Sequence, residues 1–285
     1  MEAPRYRWYL VAAALLFSTG GAAIKAASLT GWQVASFRSG VAALVLLALP
    51  EARRGWSWRV APVGLAYATT LVLFVLANRM TTAANAIFLQ STAPLYVLLL
   101  SPWLLREPVR KSDLVFAAAV AGGMVLLFLG SEQAAATAPF PRRGNLVGLA
   151  SGLAWALTLT GLRWLGRGGV QNSALAPVAA GNLLACVAAL PMALPVAAWS
   201  ARDAVVILYL GVVQIGLGYL FVTRAIRHVP AFEATAVLLL EPVMNPVWAW
   251  LVHGERPGAW ALAGGLIILA ATLGNTWRQA RRKFR

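Results

Sequence analysis

The chain reads as long apolar runs parted by short polar breaks, at about residues 8–27, 31–50, 59–78, 82–105, 112–130, 144–164, 173–198, 203–223, 231–252 and 258–277. A helix rising ~1.5 Å per residue needs about 20 apolar residues to cross a ~30 Å hydrocarbon core. Each run meets that requirement, so the pattern predicts ten transmembrane helices. The runs are apolar all round and lack the alternation of lipid-facing and lumen-facing residues that a membrane barrel strand needs. No break is long enough to fold as a soluble domain. The predicted fold class is an all-α integral membrane protein.

The polar residues inside the runs are few, and several share a depth. Phe17, Trp155, Gln214 and Glu241 each lie about ten residues into a run, roughly 15 Å deep and so near the bilayer centre. The third run carries Tyr67, Phe74 and Asn78 on a narrow stripe of one helical face, and the fourth carries Asn85, Thr92 and Tyr96 in the same way. The ninth run, "LLLEPVMNPVWAW" at 238–250, aligns Glu241, Asn245 and Trp248 and includes Pro242 and Pro246. The prolines free carbonyls and bend the helix, which a membrane tolerates where the backbone lines a cavity. Aromatic walls with a few amides and hydroxyls suit an apolar or aromatic solute with a small polar handle.

Composition agrees with the pattern: 60% of residues are hydrophobic and 12% charged, with a mean hydropathy of +0.72. Soluble domains carry about 25% charged residues. A net charge of +15 raises the question of nucleic acid, but the placement of the basic residues answers it. With a cytoplasmic N-terminus, 17 of the 24 Lys and Arg lie on the cytoplasmic side and 6 on the outer side (Lys25, Arg79, Arg142, Arg143, Arg202, Arg256), with Arg38 inside the second run. This is the positive-inside distribution of a multi-pass protein of a bacterial-type inner (plasma) membrane with both termini cytoplasmic, and not a nucleic-acid surface. The tail "WRQARRKFR" reads as an anchor at the lipid surface. The first run is too long for a signal-peptide core and is expected to remain as a helix.

Chemistry is sparse. One Cys (Cys186), two His and two Asp support no disulfide, metal site or hydrolytic centre, and no phosphate-binding glycine loop occurs. No catalytic residue, metal or cofactor is expected. The "AGG" triplets at 121–123 and 263–265 fall inside apolar runs and suit close helix packing, within the chain or against a second copy, so a monomer or a homodimer is expected.

The chain also repeats. A shift of 148 residues pairs Ala77 with Ala225, Ala86 with Ala234, Pro94 with Pro242 and Glu107 with Glu255; a shift of 138 pairs Phe17 with Trp155 and Lys25 with Arg163. Two halves of five helices follow, 1–130 and 144–285, joined by an outer linker at 131–143. Five is odd, so the second half enters from the opposite side. Inverted repeats of this kind belong to carriers, with the substrate site where the halves meet.

The order and spacing of "FSTGGAAIK", "FRSG", "ANAIFLQSTAPLYVLLLSPWLLREP", "SGLAWALT", "LEPVMNPVWAWLVHGE" and "GGLIILAATL" resemble the drug/metabolite transporter superfamily, specifically its ten-helix EamA-type exporters, over nearly the whole chain. Within it, the chain looks most like the branch exporting aromatic amino acids. The resemblance implies a carrier of small molecules in the lipid bilayer, not an enzyme. It implies amino acids including aromatic ones, with drugs or polar metabolites such as nucleotide sugars as the alternative. It also implies alternating access, with the hairpins of runs three and four and of runs eight and nine rocking against each other.

The candidate substrate-binding residues are Phe17, Arg38, Tyr67, Phe74, Asn78, Asn85, Tyr96, Trp155, Gln214, Glu241, Asn245 and Trp248. Each has a plainer reading. The aromatic residues serve equally as packing, and the amides as partners for backbone groups of neighbouring helices. Glu107 and Glu255, at matched helix ends beside basic residues, read as structural. Glu241 stands out, because an acid at mid-membrane costs about 2.5–3.5 kcal/mol on insertion scales. It is either ionised and paired with a cation such as Arg38, or a neutral carboxyl bonded to carbonyls freed by the prolines.

Overall fold

The structure is a computed structural model that describes residues 3–104, 111–129, 135–167, 175–225, 228–229 and 231–283. It is helical throughout: α1 (Ala3–Ser18), α2 (Gly20–Ala26), α3 (Gly31–Ala48), α4 (Pro50–Arg53), α5 (Val60–Met80), α6 (Ala83–Gln90), α7 (Ala93–Leu104), α8 (Lys111–Leu129), α9 (Pro141–Arg167), α10 (Leu175–Ala193), α11 (Ala201–Leu208), a π-helix at Tyr209–Leu217, α12 (Gly218–Ala225), α13 (Ala231–Leu238), α14 (Leu240–His253) and α15 (Ala259–Lys283). Among the described residues the only β pairing is an isolated bridge between Ala135 and Ala138. Nine helical spans there are long and apolar enough to cross a membrane. The expected fifth run is the shorter apolar helix Asp113–Leu129 within α8. Glu107 lies outside the described residues.

Helix starts follow local chemistry. Thr30 and Gln33 form a capping box at α3, Ser200 and Asp203 form another at α11, and the Thr82 side chain accepts from the Asn85 amide at α6. Gly254, at φ 66°, ends α14 in the left-handed conformation that suits glycine.

Four spans depart from a regular α-helix, and each departure has a cause. Between α1 and α2, Ser18 and Thr19 donate their hydroxyls to the Leu15 and Leu16 carbonyls, and two glycines follow. Between α6 and α7, Ser91 and Thr92 donate to Ile87 and Leu89, and Pro94 supplies no N–H. Between α13 and α14 the break falls at Leu239, three residues before Pro242. The 148-residue shift maps Ser91 onto Leu239, so two breaks occupy matched positions. The fourth departure is the π-helix. There Gly211 packs so closely on α3 that a Cβ would stand 2.6 Å from Val41 and 2.9 Å from the Arg38 carbonyl.

Packing is inside-out relative to a soluble protein. Large apolar residues such as Leu44, Trp103, Val115, Leu266 and Trp277 face outward, while Ser18, Arg38, Asn78, Asn182 and Asn245 are buried. Helix contacts use small residues, as in membrane bundles. A Cβ on Gly181 of α10 would lie 3.0 Å from the Gly64 carbonyl of α5. On α8 and α15, Gly123 and Gly264 meet: a Cβ on either would lie under 3 Å from the other's carbonyl oxygen. The glycine faces of the fifth and tenth runs thus pack against each other within one chain.

The bundle has two distinct ends. At one, Lys25 pairs with Glu255 at 3.0 Å and donates to the Thr81 and Thr137 carbonyls, and Glu255 accepts from the Ala83 amide. Arg79 caps the end of α2 and the turn after it through the Ile24, Ala27 and Leu29 carbonyls, and Asp203 accepts from Ser28. At the other end Arg7 pairs with Glu233 and Tyr6 stacks on His228. The α1–α2 span therefore ends where α9 begins, and the two run in opposite directions.

Candidate functional site

A cavity between the helices is lined by Tyr67, Trp155, Thr158, Leu162, Pro177, Val178 and Tyr219. Its walls are aromatic. Tyr67 stands 6.1 Å from Trp155 and 5.7 Å from Tyr219, the latter edge to face, and Tyr219 stands 5.2 Å from Phe17. Three residues expected from the sequence, Phe17, Tyr67 and Trp155, are thus brought together. Tyr219 was not expected. It follows Gln214 by five residues, about 140° away on a regular helix of ~3.6 residues per turn. The π-helix covers Gln214 and ends at Leu217, and its i→i+5 winding narrows that angle. Both touch Phe17, Gln214 by donating its Nε2 to the Phe17 carbonyl at 3.4 Å.

A second group of candidates gathers at the α1–α2 break. A Cβ on Gly21 would lie 2.6 Å from Asn245 Oδ1 and 3.0 Å from Asn78 Oδ1, and one on Gly20 would lie 2.9 Å from Gln214 Nε2. Asn78 spends its Nδ2 on the Phe74 carbonyl, so its Oδ1 is left over. Gln214 Oε1 and both side-chain polar atoms of Asn245 are also buried without a partner. Unpaired buried polar atoms are costly, which makes this concentration at one point of the fold notable.

The remaining candidates separate. Asn85 donates to Asn145, which also accepts from Thr81, so it belongs to the end network and not to the cavity; Asn78 and Asn85 do not bond each other. Phe74 sits in the main apolar core. Tyr96 packs near Gly152. Trp248 donates its indole N–H to Ser18 at 2.9 Å and borders an apolar groove with Thr19, Ala22, Ala23, Ala26 and Val252.

Arg38 and Glu241 remain. Arg38 is the largest fully buried side chain, at 2% exposure; its Nη2 donates to the Leu71 carbonyl at 3.2 Å and its Nε has no partner. Guanidinium does not deprotonate in proteins, so the charge stays. Glu241 opens α14 directly after the Leu239 break, near the favourable end of the helix dipole. It makes no ion pair with Arg38. Neither residue is among those lining the aromatic cavity. Among the described residues no His, Cys, Asp and Glu cluster suits a metal ion.

Polar residues buried in an apolar-coated helical bundle, around an aromatic cavity, define a multi-pass membrane transporter. The EamA-like transporter family matches residues 6–129 and 142–277, and the chain belongs to that family, within the drug/metabolite transporter superfamily; it is a transporter and not an enzyme. It is similar to the pseudopaline exporter CntI of Pseudomonas aeruginosa (strain UCBPP-PA14), 27% identical over 281 residues, covering 92% of this chain and 93% of that protein. A putative ethidium bromide resistance protein of Escherichia coli is 33% identical over 75 residues, covering 25% of this chain and 65% of that protein. Neither relative is described as an aromatic amino-acid exporter. A crystal structure of 18% sequence identity shares the fold, with a TM-score of 0.64 and 98% of each chain covered.

Proposed function

We propose that this transporter moves small metabolites, amino acids including aromatic ones, by exposing its central cavity alternately to the two sides of a bacterial-type plasma membrane. The reading joins halves 1–130 and 144–285 as inverted repeats through 131–143, with both termini cytoplasmic. The observation that carries it is the aromatic cavity. Tyr67 comes from the first half, Trp155 and Tyr219 from the second, and Phe17 of the first half packs against Tyr219, so relative motion of the halves remakes the wall around a solute. Flat apolar walls beside a few polar groups suit an aromatic side chain with a polar end.

A second reading is favoured by the unpartnered amides at the α1–α2 break and by the description of the relatives: a larger polar cargo such as pseudopaline. Counterflow in proteoliposomes separates the two. With labelled phenylalanine inside preloaded vesicles, aromatic amino acids are expected to compete best, ahead of aliphatic amino acids, ethidium and pseudopaline. Competition by pseudopaline alone would replace the first reading with the second.

A further inference from the structure

Donors and acceptors do not balance at the α1–α2 break. Asn78 Oδ1, Gln214 Oε1 and Asn245 Oδ1 are buried acceptors without a partner, and the one idle donor of these three side chains is Asn245 Nδ2. The other two amide nitrogens are committed, Asn78 Nδ2 to the Phe74 carbonyl and Gln214 Nε2 to the Phe17 carbonyl. Neither side chain can turn its oxygen away without breaking that bond. Asn78 and Asn245 are 0% exposed and Gln214 is 7% exposed. The Asn78 and Asn245 oxygens converge on Gly21, where both lie within 3.0 Å of one point, the place of a Cβ, and Gln214 abuts the neighbouring Gly20 in the same way. By comparison, Asn182 leaves a single oxygen unpartnered on α10.

A surplus of buried acceptors calls for a ligand that brings positive charge. Asn78, Gln214 and Asn245 line neither the aromatic cavity nor the groove beside Trp248, and a methyl group on Gly21 already collides with two of the oxygens. That tightness favours a bare ion over an ammonium carried on carbon. The three side chains are neutral, which suits a monovalent ion, since divalent ions are held through carboxylates.

We propose that the α1–α2 break holds a dehydrated alkali cation, sodium, between the oxygens of Asn78, Gln214 and Asn245. Neutral oxygens replace a hydration shell in this way in ion filters, and interrupted membrane helices are where carriers gather them. The C-terminal end of α1 turns the negative pole of its dipole to the same break. The oxygens come from α5, the π-helix and α14, so the ion ties three elements to the interruption. The assignment is independent of which solute the cavity carries.

The test is the melting temperature of the full-length protein in detergent, titrated with sodium chloride against choline chloride at constant total salt. The wild type is expected to gain about 3 °C or more at saturating sodium and nothing from choline, because a ligand of the folded state stabilises it by mass action. Asn245→Asp, which exchanges the idle amide nitrogen for an oxygen and a charge, is expected to move the sodium midpoint about tenfold lower. Asn78→Ala and Asn245→Ala are expected to lose the gain, and Asn182→Ala to keep it. Equal melting in sodium and choline overturns the site and leaves the oxygens to water. A sodium gain unchanged in both Asn245 variants places the ion elsewhere and overturns it too. Should the alanine variants fail to fold, the near-isosteric Asn245→Asp decides, and an unmoved midpoint there overturns the site. Melting needs no solute, so a failure of amino acids to exchange strikes the reading of the cavity and not this one.

Discussion

Lys25 and Glu255 show how much a single contact carries in this interior. Both side chains are 4% exposed, and their pair also holds the start of α6 through the Ala83 amide. Removing one partner of such a pair strands the other, at a cost of ~3–5 kcal/mol. Glu255→Gln and Lys25→Met are expected to lower the melting temperature in detergent by many degrees, and the double change to restore part of the loss. Additive losses would show that the two side chains act separately. At the cavity, Trp155→Ala is expected to alter the relative uptake of aromatic and aliphatic amino acids with little loss of stability, whereas Phe74→Ala is expected to destabilise, because Phe74 packs in the core. Unchanged selectivity in the Trp155 variant would mark it as packing. Depth counting pointed to Phe17 and Trp155, and the stripe on one face of the third run to Tyr67, since a regular helix converts residue number into height and face. It missed Tyr219 because no residue type announces a π-helix.

At the scale of elements, the break between α1 and α2 is built without spare room. Gly21→Ala would press a methyl group on Asn245 Oδ1 and Ala83, so a loss of counterflow greater than tenfold is expected, alongside a lower melting temperature; Gly122→Ala, where nothing lies within 4 Å, is expected to behave as wild type. Wild-type transport by the Gly21 variant would show that the amide cluster yields freely. The interruption of the ninth run was readable from Pro242 and Pro246, residues that cannot donate a helical hydrogen bond. The first-run break was not, because Ser, Thr and Gly are all common inside membrane helices, and only the neighbouring amides show why the chain turns there.

For the whole molecule, the expected orientation is open to direct measurement. In a Cys186→Ala background, Arg142→Cys is expected to react with an impermeant thiol reagent in intact cells and Arg53→Cys to be protected; both positions are exposed on the protein surface. Labelling of position 53 alone would reverse the orientation of the bundle. Hydropathy made the spans legible because the bilayer demands length and apolarity of every segment. It left open whether the glycine faces at 121–123 and 263–265 serve one chain or two, since small residues suit either contact. The meeting of Gly123 with Gly264 within the chain leaves those faces occupied.

The two ends of the bundle are fastened by unlike means. Among the described residues, one is held by a desolvated lattice around Lys25, Arg79, Asp203 and Glu255, the other by the more exposed pairs Arg7–Glu233 and Asp113–Arg278 and the stacking of Tyr6 on His228. If the carrier opens its ends in turn, as proposed above, this inequality is expected to act as a skew in occupancy, with most molecules at rest keeping the lattice shut and presenting the cavity through the other end. Apparent affinity scales with the fraction of molecules competent to bind. The same solute is therefore expected to half-saturate the protein at a lower concentration from the Arg7 face than from the Lys25 face. Net flux without a gradient remains zero, as detailed balance requires.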